Sequence, residues 1–117
     1  MSHPTIPWEL APEQVTGGAP AELDGATRVA LEAIVGADGV VTDRSEMDAA
    51  AIDVWWITRY QFHGEDRLPR PAALVFPASR DVVVAVGKLC REHGLPIVPR
   101  GGGGGGAGGG LGLGGGV

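Results

Sequence analysis

Pro96-Ile97-Val98-Pro99-Arg100-Gly101-Gly102-Gly103-Gly104-Gly105-Gly106 is the stretch on which the reading of this chain turns. A short apolar run between two prolines reads as a strand, and it delivers the last charged residue, Arg100, directly into glycine. Thirteen of the 17 residues from 101 to 117 are glycine, against 8 in the first 100, so the two parts need separate explanations. Without Cβ, a backbone can turn with positive φ and bring several peptide N–H groups onto one anion. At the C-terminal end of a parallel strand, where ligands collect in open α/β sheets, such a turn is a candidate phosphate cradle.

Upstream of that stretch, Ala73-Leu74-Val75-Phe76 reads as a buried strand ending at Pro77. Ser79 then supplies an N-cap oxygen and Asp81 an acidic first turn. Val82, Val83, Val86, Leu89 and Cys90 fall along one side of a helix, Lys88, Arg91 and Glu92 lie on the solvated side, and Gly94 stops it. Three consecutive valines favour a strand by propensity, but the cap, the 3.6-residue spacing and the closing glycine together outweigh them. Strand, helix and strand predict a right-handed βαβ unit with residues 73–76 and 96–98 parallel. The expected fold class is therefore α/β (α+β), with a small parallel βαβ sheet and a glycine-rich loop.

Further back the signals are shorter. Leu23, Ala26, Ala30, Ala33 and Ile34 predict a helix over 21–35 stopped by Gly36. Residues 39–42 predict a brief strand, and Ser45 with Asp48 resembles a capping box opening a helical turn. Residues 1–20, with three prolines before Val15, read as an extended lead-in. The expected division is a lead-in at 1–20, a helical and strand segment at 21–67, and the start of a ligand-binding domain at 68–117.

Composition removes several function classes. At 117 residues the chain is one domain at most, and a complete cofactor enzyme usually needs more. Nine basic against 14 acidic side chains, a net charge of −5, argue against nucleic acid or an anionic membrane, which need clustered cations. The lone Cys90 leaves no internal disulfide or cysteine-based zinc site and fits a reducing, cytoplasmic setting. No metal site is expected. No run reaches the ~18 apolar residues of a membrane span, and the first residues carry no export signal.

The glycines do not make a Walker A loop, because no Lys followed by Ser or Thr comes after them. Nor does a periodic helix follow, as a Rossmann fingerprint requires. Two readings remain: a loop that binds diphosphate without a helix dipole, or a disordered glycine tail on a non-enzymatic interaction module. A phosphate loop should turn in a defined way at Pro99-Arg100-Gly101, whereas a tail should be disordered from Gly101 onward.

The residues resemble the FAD-linked oxidases of the vanillyl-alcohol oxidase and p-cresol methylhydroxylase type, in particular the D-lactate dehydrogenase and glycolate oxidase catalytic-subunit branch. Leu31-Glu32-Ala33-Ile34-Val35-Gly36 with Val41-Thr42-Asp43 looks like that branch's opening helix and strand. Arg70-Pro71-Ala72-Ala73-Leu74-Val75-Phe76-Pro77 looks like the entry to its FAD domain, and Pro96 to Gly103 like the strand and pyrophosphate loop. Gly104 stands where a hydroxyl residue is common, Gly106 where an apolar one is, and Gly112 where proline is frequent.

The resemblance implies non-covalent FAD, its diphosphate held by Pro99, Arg100, Gly101, Gly102, Gly103, Gly104, Gly105, Gly108 and Gly109, with Pro77 near the adenine. It implies an N-terminal portion of an oxidoreductase that passes a hydride from a 2-hydroxy acid to FAD and the electrons onward to an acceptor. The substrate and catalytic residues would then lie beyond Val117, and the portion alone would be inactive. The same fold acting on another alcohol or a phenol is the alternative within the family.

The remaining candidates have plainer readings. His63, beside Gly64-Glu65-Asp66, has no second His or Cys at ligand spacing, and His93 complements a helix dipole. Trp55, Trp56, Tyr60 and Phe62 are expected to serve the core, and Cys90 to be a buried small hydrophobe.

Overall fold

The computed structural model describes residues 22–55, 69–112 and 115–117. The lead-in, Trp56, Tyr60, Phe62 and His63 lie outside the described residues.

Helix α1 spans Gly25–Val35. Its N-cap is Asp24, whose carboxylate accepts from the Thr27 amide and from the Thr27 hydroxyl at 2.9 and 2.6 Å. These bonds, the hydroxyl's first, hold the Asp24 carboxyl below the usual carboxylate range. Gly36 closes the helix at φ 88°. A 3₁₀ turn, Ala37–Gly39, leads into strand β1, Val40–Val41.

Helix α2 spans Arg44–Ala50. Its cap corrects the capping-box reading: the N-cap is Asp43, which accepts from the amides of Ser45 and Glu46, and the Ser45 hydroxyl also turns back onto Asp43. A carboxylate with two oxygens one position before the helix outcompetes a hydroxyl inside its first turn. The Ser45 hydroxyl, followed by the two amides, lowers the Asp43 carboxyl from its ordinary value.

Strand β2 is Leu74–Val75 and helix α3 is Arg80–Glu92. Ser79 caps α3 as the sequence implies, accepting from the Val82 amide, and Val86 and Cys90 face inward. Burial pushes the Cys90 thiol up, as suits a core position and not a reactive one.

The sheet differs from expectation. It has two strands and is antiparallel, with Val40 opposite Val75 and Val41 opposite Leu74. The parallel βαβ pairing of 73–76 with 96–98 does not form. Residues 96–98 are not a strand, and their backbone bonds go to Val117: the Val117 amide donates to Pro96 and the Val98 amide to Val117, at 2.9 and 2.8 Å. Residues 115–117 take the place beside 96–98 that β2 was expected to occupy. Gly116 reaches the other way, its carbonyl accepting from Ala72 at 2.6 Å.

The core lies between the helices and β2. Leu31, Val40, Ala73, Val86 and Cys90 are buried together, with Ile34, Val35, Val75 and Leu89 packed around them. A cross-link ties the N-terminus of α1 to the end of α3, where the Thr27 hydroxyl meets His93 Nδ1 at 2.8 Å. His93 is thus a bonded helix cap and not only a charge near a dipole.

Candidate functional site

Arg100 is the hinge between scaffold and glycines. Its guanidinium donates to three backbone carbonyls: Ala50 at 2.8 Å, Gly110 at 3.1 Å and Ile52 at 2.7 Å. The first and third belong to the end of α2 and the residues after it, while Gly110 belongs to the far side of the glycine loop. One planar fork therefore pins both limbs of residues 101–110 to the helical scaffold. The expectation that Arg100 supplies charge to a phosphate changes accordingly, because its donors are spent on carbonyls and its role here is to set the loop.

Two glycines show that the loop is shaped and not a solvated tail. Gly108 is buried at φ 76°, and a Cβ there would stand 2.6 Å from Cε3 of Trp55. Gly103, at φ 69°, lies over the guanidinium, where a Cβ would stand 2.8 Å from Arg100 Cζ. That arginine cannot swing aside without breaking its three bonds. Trp55 is half-buried and forms the floor under Gly108, a place fixed by its amide donating to Asp53 Oδ1 at 2.8 Å.

Between these anchors, Gly101, Gly102, Gly104, Gly105 and Gly106 have open space where a side chain would stand. Among the described residues, no amide from 101 to 106 donates a hydrogen bond. Backbone donors without partners need water or an anion, and six in sequence on an anchored loop can converge on a diphosphate. The residues fit such a group through their backbone alone. This includes Gly104, which stands where a hydroxyl residue would add a side-chain contact.

The expected site residues are brought together only in part. Pro77, Arg100 and Gly101 line one cleft of about 550 Å³, and Pro77, Pro99 and Arg100 line a second of about 340 Å³. Gly108 packs on Trp55 and Gly109 is exposed beyond it, so this pair serves the loop's far turn. Sequence reasoning passed over Gly106, Gly110 and Trp55. Gly106 was legible as the last member of an uninterrupted glycine run; the other two depend on where the chain folds back.

Residues 71–117 match the family model of the FAD binding domain. The family is typically one of flavin oxidoreductases, and the FAD binding domain match supports FAD as the dinucleotide. The matched segment opens just before β2, contains α3 and takes in the whole glycine loop. Among curated proteins none matches the chain. Among the described residues no helix is long and apolar enough to cross a membrane, and no group of His, Cys, Asp and Glu could hold a metal ion.

Proposed function

We propose that this chain provides the diphosphate-binding portion of a flavin-dependent oxidoreductase that takes a 2-hydroxy acid of the D-lactate or glycolate type. The observation that carries the reading is the run of unpartnered amides at 101–106, held in place by Arg100 from below and by Gly108 on Trp55 at its far end. In this reading the amides of Gly101 to Gly105 take the diphosphate oxygens without a covalent bond to the cofactor, and Pro77 and Pro99 border the adenine side. Bound flavin supplies the hydride acceptor for the substrate's alcohol carbon. This chain's residues position the dinucleotide and keep water from its phosphates. The groups that bind the substrate carboxylate and take the hydroxyl proton belong to a further domain. The buried, single thiol of Cys90 suits a cytoplasmic protein.

The substrate choice rests on the resemblance of residues 31–43 and 70–103 to the hydroxy-acid branch. Anaerobic addition of D-lactate or glycolate to the flavin-loaded full protein should bleach the flavin absorbance, and a phenol should not. Bleaching by the phenol alone would assign the chain to another branch of the same flavoproteins.

A further inference from the structure

We infer that the gap between β2 and residues 97–100 is a receiving slot for one extended peptide strand, lying parallel to both walls and carrying apolar side chains toward α3. This inference is independent of the cofactor reading, since the slot offers the backbone of Val75, Val98 and Arg100 while the diphosphate would use the amides of 101–106.

The width comes from the backbone bonds. Val117 bonds to both Pro96 and Val98, which is the pattern of one step of a parallel ladder, while Gly116 accepts from Ala72 on the opposite side. Residues 115–117 thus stand between the two walls, and the walls are two strand spacings apart, about 9.5 Å. Ahead of Val117 that separation continues and admits a single extended chain.

The donors and acceptors are matched to such a chain. Phe76 donates to Gly39 and Leu74 is paired with Val41, so residues 74 and 76 direct their backbone toward β1. Alternation along the strand turns the N–H and C=O of Val75 into the slot. On the other wall the Val98 amide faces Val117, so the Val98 carbonyl and the Arg100 amide face the slot one step further on. Pro99, which has no N–H, falls on the parity that points away. Pro77 falls on the parity that points in, and closes the ladder on its side.

The lining is apolar. Val75, Val83, Val86, Ile97 and Val98 wall the side toward α3. Val83 and Ile97 are 53% and 47% exposed there, and Phe76 at the opposite mouth is 59% exposed. Apolar side chains left open beside unpaired strand backbone are complementary to a β-strand with alternate apolar residues.

The test uses the isotope-labelled 117-residue chain and a blocked peptide of alternating valine and threonine. Amide exchange at Val75 and Arg100 should slow by about tenfold or more on peptide addition. N-methylating the peptide on either alternate set of amides should weaken binding by about tenfold, because an inserted strand is bonded on both sides. Val83→Glu, on an exposed position of the wall, should weaken binding while leaving the fold intact. Absence of protection at those two amides would overturn the inference, as would sensitivity to methylation on one set only, which marks addition to a single edge. Protection that grows with protein concentration alone would make the occupant a second copy. Protection by FAD in place of peptide would assign the slot to the cofactor. Both results overturn the inference, and neither removes the separate signal expected at 101–106.

Discussion

The helical scaffold and the glycine loop hold their shapes by opposite means. In residues 22–55 and 73–92, side chains do the holding: Leu31, Val86 and Cys90 interdigitate, and Asp24, Asp43 and Ser79 cap the helices. In residues 101–112 there is almost no side chain to pack, and the shape comes from one guanidinium gripping carbonyls and from glycines pressed against Trp55 and Pro71. Damage to the first should therefore lower global stability, and damage to the second should loosen a loop while the scaffold stands.

The largest expected effect is in the scaffold. Leu31 is fully buried, so Leu31→Ala should cost about 2–5 kcal/mol in urea unfolding through lost burial and the cavity left behind. Next comes Arg100→Met, which removes three charged hydrogen bonds at once and should cost about 3 kcal/mol. Amide exchange in 103–110 should accelerate while that of α1 and α3 holds. Arg100→Lys should rescue little, because a point ammonium cannot span carbonyls from Ala50, Ile52 and Gly110. Equal loss of protection in both regions would break the distinction between them.

Gly108→Ala should cost roughly 1–3 kcal/mol, since the added methyl meets the Trp55 ring and the backbone stands at positive φ. Gly105→Ala sharpens the comparison, because its Cβ meets nothing and the fold should be unchanged. Smaller again is Ser79→Ala, about 1 kcal/mol from the lost cap of α3.

How much of this was legible from sequence follows the range of each interaction. Helix α3 was readable because Ser79, the valine spacing and Gly94 all act within one element. The cap of α2 was misplaced by two residues, since Asp43 and Ser45 are both good cap residues and only the geometry shows the serine hydroxyl turning back onto the aspartate. The sheet was misread because strand partnership is nonlocal: nothing in residues 73–76 says that their neighbours are Val40 and Val41. The glycine loop was located correctly, but Arg100 was read as a phosphate ligand, because a guanidinium beside glycines looks alike whether its donors go to an anion or to carbonyls fifty residues away.

Acid should act on the scaffold first. The Asp24 and Asp43 carboxyls are both lowered by the hydrogen bonds they accept, so protonating them is less favourable in the folded chain than in the unfolded one. Their contribution is fully present above the ordinary carboxylate range, about pH 4, and is lost as pH falls through the lowered native values. Helix signal should decline in that acid window, and Asp43→Asn should flatten part of the decline.

The most direct test of the diphosphate cradle is a titration of the isotope-labelled chain with FAD, followed at the backbone amides. The account predicts that the amides of Gly101 to Gly106 move together with one saturation curve, that inorganic pyrophosphate moves the same set, and that Arg100→Met weakens both responses. Unmoved amides at 101–106 with millimolar FAD present, or shifts confined to other parts of the chain, would contradict it.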